Sequence, residues 1–305
     1  MKHIMITGAS GFVGSYLARM LLERGERVTG LGTSSCHPFA KAHDHFTWLS
    51  ADTSREGAWQ DLAAESDAII NLAGRNIFKR WSRTCKKAIY DSRILTTRNL
   101  VAGLGENWNG HLLSVSGMGY YGDRGDAVLD ETEPGGSDFL AQVCADWEAA
   151  ALEAKSKGAA VSLMRFGVIL GQGGGALDVM GKVFKCFLGG PLGAGRQYFP
   201  WMHLADLGAA VAFLMQGKIG GTFNFCGPKP VRQREFARAM GRALKRPALT
   251  PAPACMVRLV MGELGTSLLM GQNATPKALQ KEGFTFKYNT VEEALKEVYG
   301  SEFYA

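Results

Sequence analysis

Apolar positions in this chain come in short unbroken runs, separated by stretches where they recur every three or four residues. The runs predict strands buried on both faces at 3–7, 27–32, 46–50, 67–72, 111–116 and 161–166. The stretches between them predict helices at 12–25, 82–104 and 138–157. On the last helix Leu140, Val143, Cys144, Trp147 and Ala151 share one face. Strands alternating with helices predict an α/β fold with a doubly wound parallel sheet. After Leu170 the texture changes to Gly-Gln-Gly-Gly-Gly-Ala and then Leu-Gly-Gly-Pro-Leu-Gly-Ala-Gly-Arg, loops that pack closely where a second unit begins. The expected division is a sheet domain over 1–170, to which a segment near 200–228 returns, and a smaller domain over 171–305. A strand at 222–227 and a helix at 232–244 are expected there, followed by proline turns and helices.

The first strand runs directly into glycines at 8, 11 and 14, with Gly25 as the stop of the next helix. A nucleotide pyrophosphate needs a tight turn after a strand, a backbone without Cβ atoms in the way, and helix N-terminal amides. Thr7, Gly8, Ser10, Gly11, Phe12, Val13 and Gly14 are therefore the predicted cofactor contacts. The residue ending the second strand selects the dinucleotide: an acid holds a ribose diol, whereas small polar groups leave room for a 2′-phosphate. The segment 28–35 has no acid and offers Thr33 and Ser34, which favours NADP(H) over NAD. Asp52, after the third strand, meets an adenine edge or serves a turn. Leu72, Ala73 and Gly74 close the fourth strand with residues small enough for a cofactor to lie across it.

The chain has 305 residues, 46% of them hydrophobic and 20% charged, as expected of a globular protein. Its most apolar stretch, 253–271, is broken by Arg258 and Glu263, so no membrane span is predicted. Six cysteines form no CxxC pair or metal-ligand spacing, which predicts reduced thiols and no metal. An N-terminus that is already a core strand leaves no room for a targeting peptide, so a cytoplasmic protein is expected. The net charge of +6 suits an anionic small ligand, and no basic-aromatic cluster points to nucleic acid.

Thr7-Gly8-x-x-Gly11-x-x-Gly14, Asp52, Asn71-Leu-Ala-Gly74 and Ser116-x-x-x-Tyr120-Tyr121-Gly122 resemble the extended short-chain dehydrogenase/reductase superfamily, which is epimerase/dehydratase-like. Arg165-Phe-Gly-Val-Ile-Leu-Gly171 and Trp201-Met-His203-Leu-Ala-Asp206-Leu extend the resemblance. Arg80-Trp81, Ser92-Arg93, Cys144-x-x-Trp147-Glu148, Gly189-Gly-Pro-Leu-Gly193-x-Gly195-Arg196-Gln197, Pro230-Val-Arg232 and a C-terminal segment near 250–300 look like an atypical subgroup. Its members are labelled epimerase-like or SulA-like cell-division inhibitors. The resemblance implies a Rossmann-type NADP-binding domain with Ser114 and Arg165 among its cofactor contacts, and a smaller substrate-binding domain. It also implies a helix-paired homodimer and a small, nucleotide-linked substrate.

Active members of that superfamily carry a Tyr and a Lys one helical turn apart, the Lys lowering the Tyr pKa and holding the nicotinamide ribose. Taking Trp147-Glu148 as the landmark puts Leu140 at the Tyr position and Cys144 at the Lys position. Arg93 stands for the usual upstream Asn, and Ser116 survives. The catalytic candidates are thus Ser116, Tyr121, Cys144 and Arg93. Cys144 is either an acid or nucleophile, or a small core residue. Arg93 either grips a phosphate or carboxylate, or balances an acid. Tyr120 and Tyr121 either replace the lost phenol or pack beside a glycine turn. His203 is expected to be a structural link. The loop 189–201, with Arg196, Gln197, Tyr198 and Trp201, is the substrate-facing candidate together with Tyr120. Two functions follow: an NADP(H)-dependent oxidoreductase or epimerase with an unusual proton donor, or a non-catalytic NADP(H)-binding redox sensor.

Overall fold

The computed structural model describes residues 1–35, 39 and 43–300. From the N-terminus come β1 (His3–Thr7), α1 (Phe12–Glu23), β2 (Arg27–Gly32), β3 (Phe46–Ser50), α2 (Trp59–Ala64) and β4 (Ala68–Asn71). Then follow α3 (Arg83–Ala102), β5 (His111–Gly117), β6 (Val128–Leu129), α4 (Phe139–Leu152), β7 (Ala160–Phe166) and β8 (Val168–Leu170). After them come α5 (Gly175–Lys185), β9 (Trp201–His203), α6 (Leu204–Gly217), β10 (Gly221–Phe225) and α7 (Gln233–Leu244). The chain closes with α8 (Ala254–Met261), α9 (Glu263–Leu268), β11 (Asn273–Ala274), α10 (Lys277–Lys281) and α11 (Val291–Gly300).

Seven parallel strands form the central sheet in the order β10-β7-β5-β4-β1-β2-β3. The chain winds outward one way from β1 and the other way from β4, so a crevice opens beyond the C-terminal ends of these two neighbours. This is the α/β, doubly wound fold that the alternating pattern predicts. The strands read as continuous apolar runs because helices cover both faces. Leu17, Ala18 and Leu21 of α1 pack with Leu207, Val211 and Leu214 of α6 on one side. Trp59, Leu100, Val101 and Trp108 pack on the other.

The predicted helix over 138–157 stops at Leu152, and a 3₁₀ turn over Glu153–Lys157 continues it to Gly158 at φ +92. A separate core joins α5, α7 and α11 through Leu177, Phe184, Phe236, Met240, Leu295 and Val298. Meanwhile α6 packs on the central sheet and β10 pairs with β7. His203 and Asp206 tie α6 to the C-terminal segment. His203 Nδ1 accepts from the Ala205 amide at 3.1 Å, and its ring lies 4.0 Å from that of Tyr288. Asp206 accepts from the amides of Lys287 at 2.8 Å and Tyr288 at 3.1 Å. Burial pushes the His203 imidazole down to about 4, so it sits neutral as a helix cap. Among the described residues no helix is long and apolar enough to cross a membrane. Cys85, Cys144, Cys186, Cys226 and Cys255 are free thiols, and Cys36 lies outside the described residues.

Candidate functional site

The turn from β1 into α1 sits at the crevice. Gly8 has φ +70, and a Cβ there would stand 3.1 Å from the Leu72 carbonyl carbon and 3.2 Å from the Ala73 Cα. A Cβ on Gly14 would stand 2.3 Å from the Gly8 carbonyl oxygen, so only glycine lets the helix approach the turn. Gly11 closes the turn by donating its amide to the Gly8 carbonyl at 3.0 Å, and it is the N-cap of α1. The first helical bond runs from Ser15 to Gly11, which leaves the amides of residues 12–14 without helical acceptors. Such a cradle fits an anionic pyrophosphate. The Phe12 ring covers Gly174 and Gly175, whose added Cβ atoms would stand 3.0 Å from it.

Beneath this turn, polar side chains bond one another. Thr7 donates its hydroxyl to Asn71 Oδ1 at 2.7 Å and accepts the amides of Leu72 and Ala73. Asn71 Nδ2 donates to Thr97 Oγ1 at 2.9 Å and to Ser114 Oγ at 3.2 Å. Thr7 and Ser114 are fully buried and hold the strand ends in register.

A cleft of about 550 Å³ opens from the glycine turn, passes the ends of β5 and β7, and reaches α9. Gly8, Gly11, Phe12, Val13, Gly14, Leu72 and Gly74 line one end of it. Leu140 and Cys144 line its wall one helical turn apart, together with Ser116 and Trp147. Burial pushes the Cys144 thiol up to about 11, with the Ser116 hydrogen bond and the Arg93 charge pulling the other way. The thiol therefore carries its proton at neutral pH. Arg93 reaches in from α3, and its guanidinium lies against Gly74, where a Cβ would be 3.0 Å from Cζ. Nη1 donates to the Ile89 carbonyl at 3.0 Å and Nη2 to the Arg75 carbonyl at 3.1 Å, while the charge sits 5.1 Å from the centre of the Trp147 ring. Among the described residues no carboxylate pairs with it.

The other strand-end candidates form a closed cluster. Arg165 grips Glu148 with two hydrogen bonds of 2.8 Å, from Nε and Nη2. Ser116 donates to Glu148 Oε1 at 2.7 Å. Arg165 Nη1 donates to the Tyr121 hydroxyl at 2.9 Å, and that hydroxyl donates to Asn224 Oδ1 at 2.8 Å. The Arg165 guanidinium stacks 3.5 Å from the centre of the Tyr120 ring. Tyr121 is completely buried, and burial pushes its phenol up to about 12. Of this cluster only Ser116 lines the cleft. Glu148, the hub, stands in the sequence as a landmark for the helix. Its signal was an acid on an otherwise apolar helical face.

The remaining predicted residues scatter. Gln197 and Tyr198 line the cleft, while Arg196 is exposed outside it. Trp201 is buried in the second core with its ring against Gly227, where a Cβ would be 2.8 Å away. Asp52 is exposed and accepts from the Ser54 amide at 3.2 Å and hydroxyl at 2.6 Å, a turn closing on itself. Thr33 and Ser34 are exposed at the end of β2. Ser10 stands next to that strand end, its Oγ 3.0 Å from where a Cβ of Gly32 would be. Residues that no motif singles out complete the far end of the cleft, among them Ile77, Phe78, Leu264, Leu268 and Met270. They come from two separate segments and meet only in the fold.

Comparison with known proteins places this geometry. The model of the NAD dependent epimerase/dehydratase family matches residues 4–226, and that of a domain of unknown function, DUF1731, matches 252–298. An epimerase family protein of Mycobacterium bovis is 39% identical over 295 residues, covering 96% of both chains. The chloroplastic SDR39U1 homologue of Arabidopsis thaliana is 37% identical, covering 97% of this chain and 86% of its own. The crystal structure of human epimerase family protein SDR39U1 with NADPH is 32% identical, with a TM-score of 0.85 over 98% of this chain and 99% of that one. A Thermus thermophilus UDP-glucose 4-epimerase solved with NAD, 17% identical at a TM-score of 0.76, shares the fold. The cell-division label finds no support among these relatives. The glycine cradle, the crevice between β1 and β4 and the match over most of its length place this chain in the NAD dependent epimerase/dehydratase family.

Proposed function

We propose that the protein binds NADP(H) along the glycine turn and acts as an oxidoreductase on a small molecule held in the cleft. The observation that carries this reading is the Gly8–Gly14 cradle opening directly onto a cavity large enough for a nicotinamide and a second ligand. Gly11 and the first amides of α1 would hold the pyrophosphate, and Leu72 and Gly74 would flank the ribose. Ser10, Thr33 and Ser34 would face the adenosine end, where hydroxyls without an acid favour a 2′-phosphate. The human relative solved with NADPH supports that preference.

Arg93 would supply the cation that the missing Lys gives elsewhere in the superfamily, since its charge is felt at Cys144. The bound nicotinamide supplies or accepts a hydride. Cys144 lines the cleft with its thiol protonated, whereas the Ser116 proton is committed to Glu148. A thiol held protonated can give a proton to a developing alkoxide but is a poor base. With Cys144 as the proton donor, the proposed reaction runs in the direction of reduction.

A second reading, a redox sensor that binds NADP(H) without turnover, draws on Leu140 at the phenol position. Nicotinamide fluorescence separates the two. Tight NADPH that is oxidised when a metabolite pool is added, more slowly in Cys144→Ala, supports the reductase. Tight NADPH that no pool oxidises supports the sensor, and NAD binding as tightly as NADP overturns the cofactor assignment.

A further inference from the structure

The end of the cleft farthest from the glycine turn is built from apolar side chains: Ile77 and Phe78 after β4, Leu140 on α4, and Leu264, Leu268 and Met270 from α9 and beyond. Among the described residues lining the whole cleft, only Arg93 and Asp138 carry charge. Arg93 lies at the cofactor end, against Gly74. Asp138 Oδ1 is spent capping α4, accepting from the amides of Leu140 at 2.9 Å and Ala141 at 3.2 Å.

Three polar side chains at the far end are engaged in the same way. Gln272 Nε2 donates to the Gly122 carbonyl at 3.0 Å, Gln197 Nε2 to the Leu192 carbonyl at 3.1 Å, and Ser267 Oγ to the Glu263 carbonyl at 3.3 Å. Near the rim Lys86 pairs with Glu263 and Arg232 with Asp126 at 2.7 Å, while Arg80 lies against Gly262 outside the lining of the cleft. A diphosphate placed here would lose its hydration with no lining cation to replace it, since Arg93 lies at the cofactor end. An apolar molecule would bury its surface against side chains that need nothing from it.

We propose that this end of the cleft takes an apolar, uncharged small molecule rather than a nucleoside-diphosphate sugar. The inference deepens the oxidoreductase reading, on which it rests for the position of the cofactor, but its test needs no turnover. Saturation-transfer NMR on the full chain, with 2-decanone and with UDP-glucose as probes, reads binding directly. The ketone is expected to receive saturation and UDP-glucose is not.

Leu268→Asp, inside the cleft, and Phe78→Asp, at its mouth, should each weaken ketone binding about tenfold or more, because a carboxylate then faces the ligand. Leu259→Asp, on the exposed face of α8, should leave it unchanged and so excludes dye-like adsorption to outer apolar patches. Phe78 is half exposed and tolerates the change if Leu268 does not. UDP-glucose binding, absent ketone binding, or ketone binding indifferent to both cleft variants overturns the proposal. Failure of NADPH to bind in a parallel fluorescence titration overturns the cofactor reading alone.

Discussion

The glycine turn after β1 and the Ser-Tyr strand end after β5 look alike in the sequence, since both are motifs at the C-terminal end of a parallel strand. In the fold they differ. At the glycine turn the amides of residues 12–14 have no helical acceptor, and Phe12, Val13 and Gly14 line a cavity. At the second, Ser116, Tyr121 and Arg165 satisfy one another around Glu148, and Tyr121 is sealed from solvent. A polar group is available for chemistry only where the protein has left its bonding capacity open. A motif carries its residues to the right place without guaranteeing that opening.

Glu148→Ala is expected to have the largest effect. It would leave the buried Arg165 charge unpaired and should cost about 3–5 kcal/mol of stability, read as a shift in denaturant midpoint. A loss below about 1 kcal/mol would mean that the cluster is open to water and not structural.

Acid sets a background that neither region controls. Burial holds His111 and His203 at about 4 in the folded chain, against 6.5 for an ordinary histidine. Between those values the unfolded chain binds more protons, so stability is full above pH 6.5 and falls as pH drops toward 4. The loss should be on the order of 3 kcal/mol per histidine, and His111→Asn should remove its share of the slope.

Gly14→Ala tests the open region. The added Cβ would collide with the Gly8 carbonyl, costing about 1–3 kcal/mol and cutting NADPH affinity at least about tenfold in fluorescence titration. Tyr121→Phe tests the closed one, with about 1–2 kcal/mol lost from broken hydrogen bonds and NADPH binding unchanged. Weakened NADPH binding in that variant would erase the distinction between the regions. The smallest effect on folding is expected from Arg93→Met. It should weaken NADPH about tenfold yet leave the thermal midpoint unchanged or raised, because it removes a half-buried charge that, among the described residues, is held by carbonyls and a ring and not by a carboxylate.

Much of the fold could be read along the chain. The six strands expected in the first half match β1 to β5 and β7 to within a residue or two, because strands covered on both faces must be apolar throughout. The glycine turn was legible for an equally local reason, as the φ of Gly8 and the close approach at Gly14 concern neighbours within a few residues. Leu140 and Cys144 could be set on one helical face by counting turns. Their exposure to a cavity could not be counted in this way.

Which polar groups bond each other, and which apolar groups meet, follows from the assembled fold alone. Glu148 finds Arg165, Ser116 finds Glu148, and Tyr121 finds Asn224 across distances of up to 103 residues along the chain. Phe78, Leu140 and Leu268 come from three segments and form one wall. Local sequence dictates backbone conformation because its energetics involve adjacent residues. The proton held by Cys144 and the apolar far end of the cleft depend on burial, which is a property of the assembled chain.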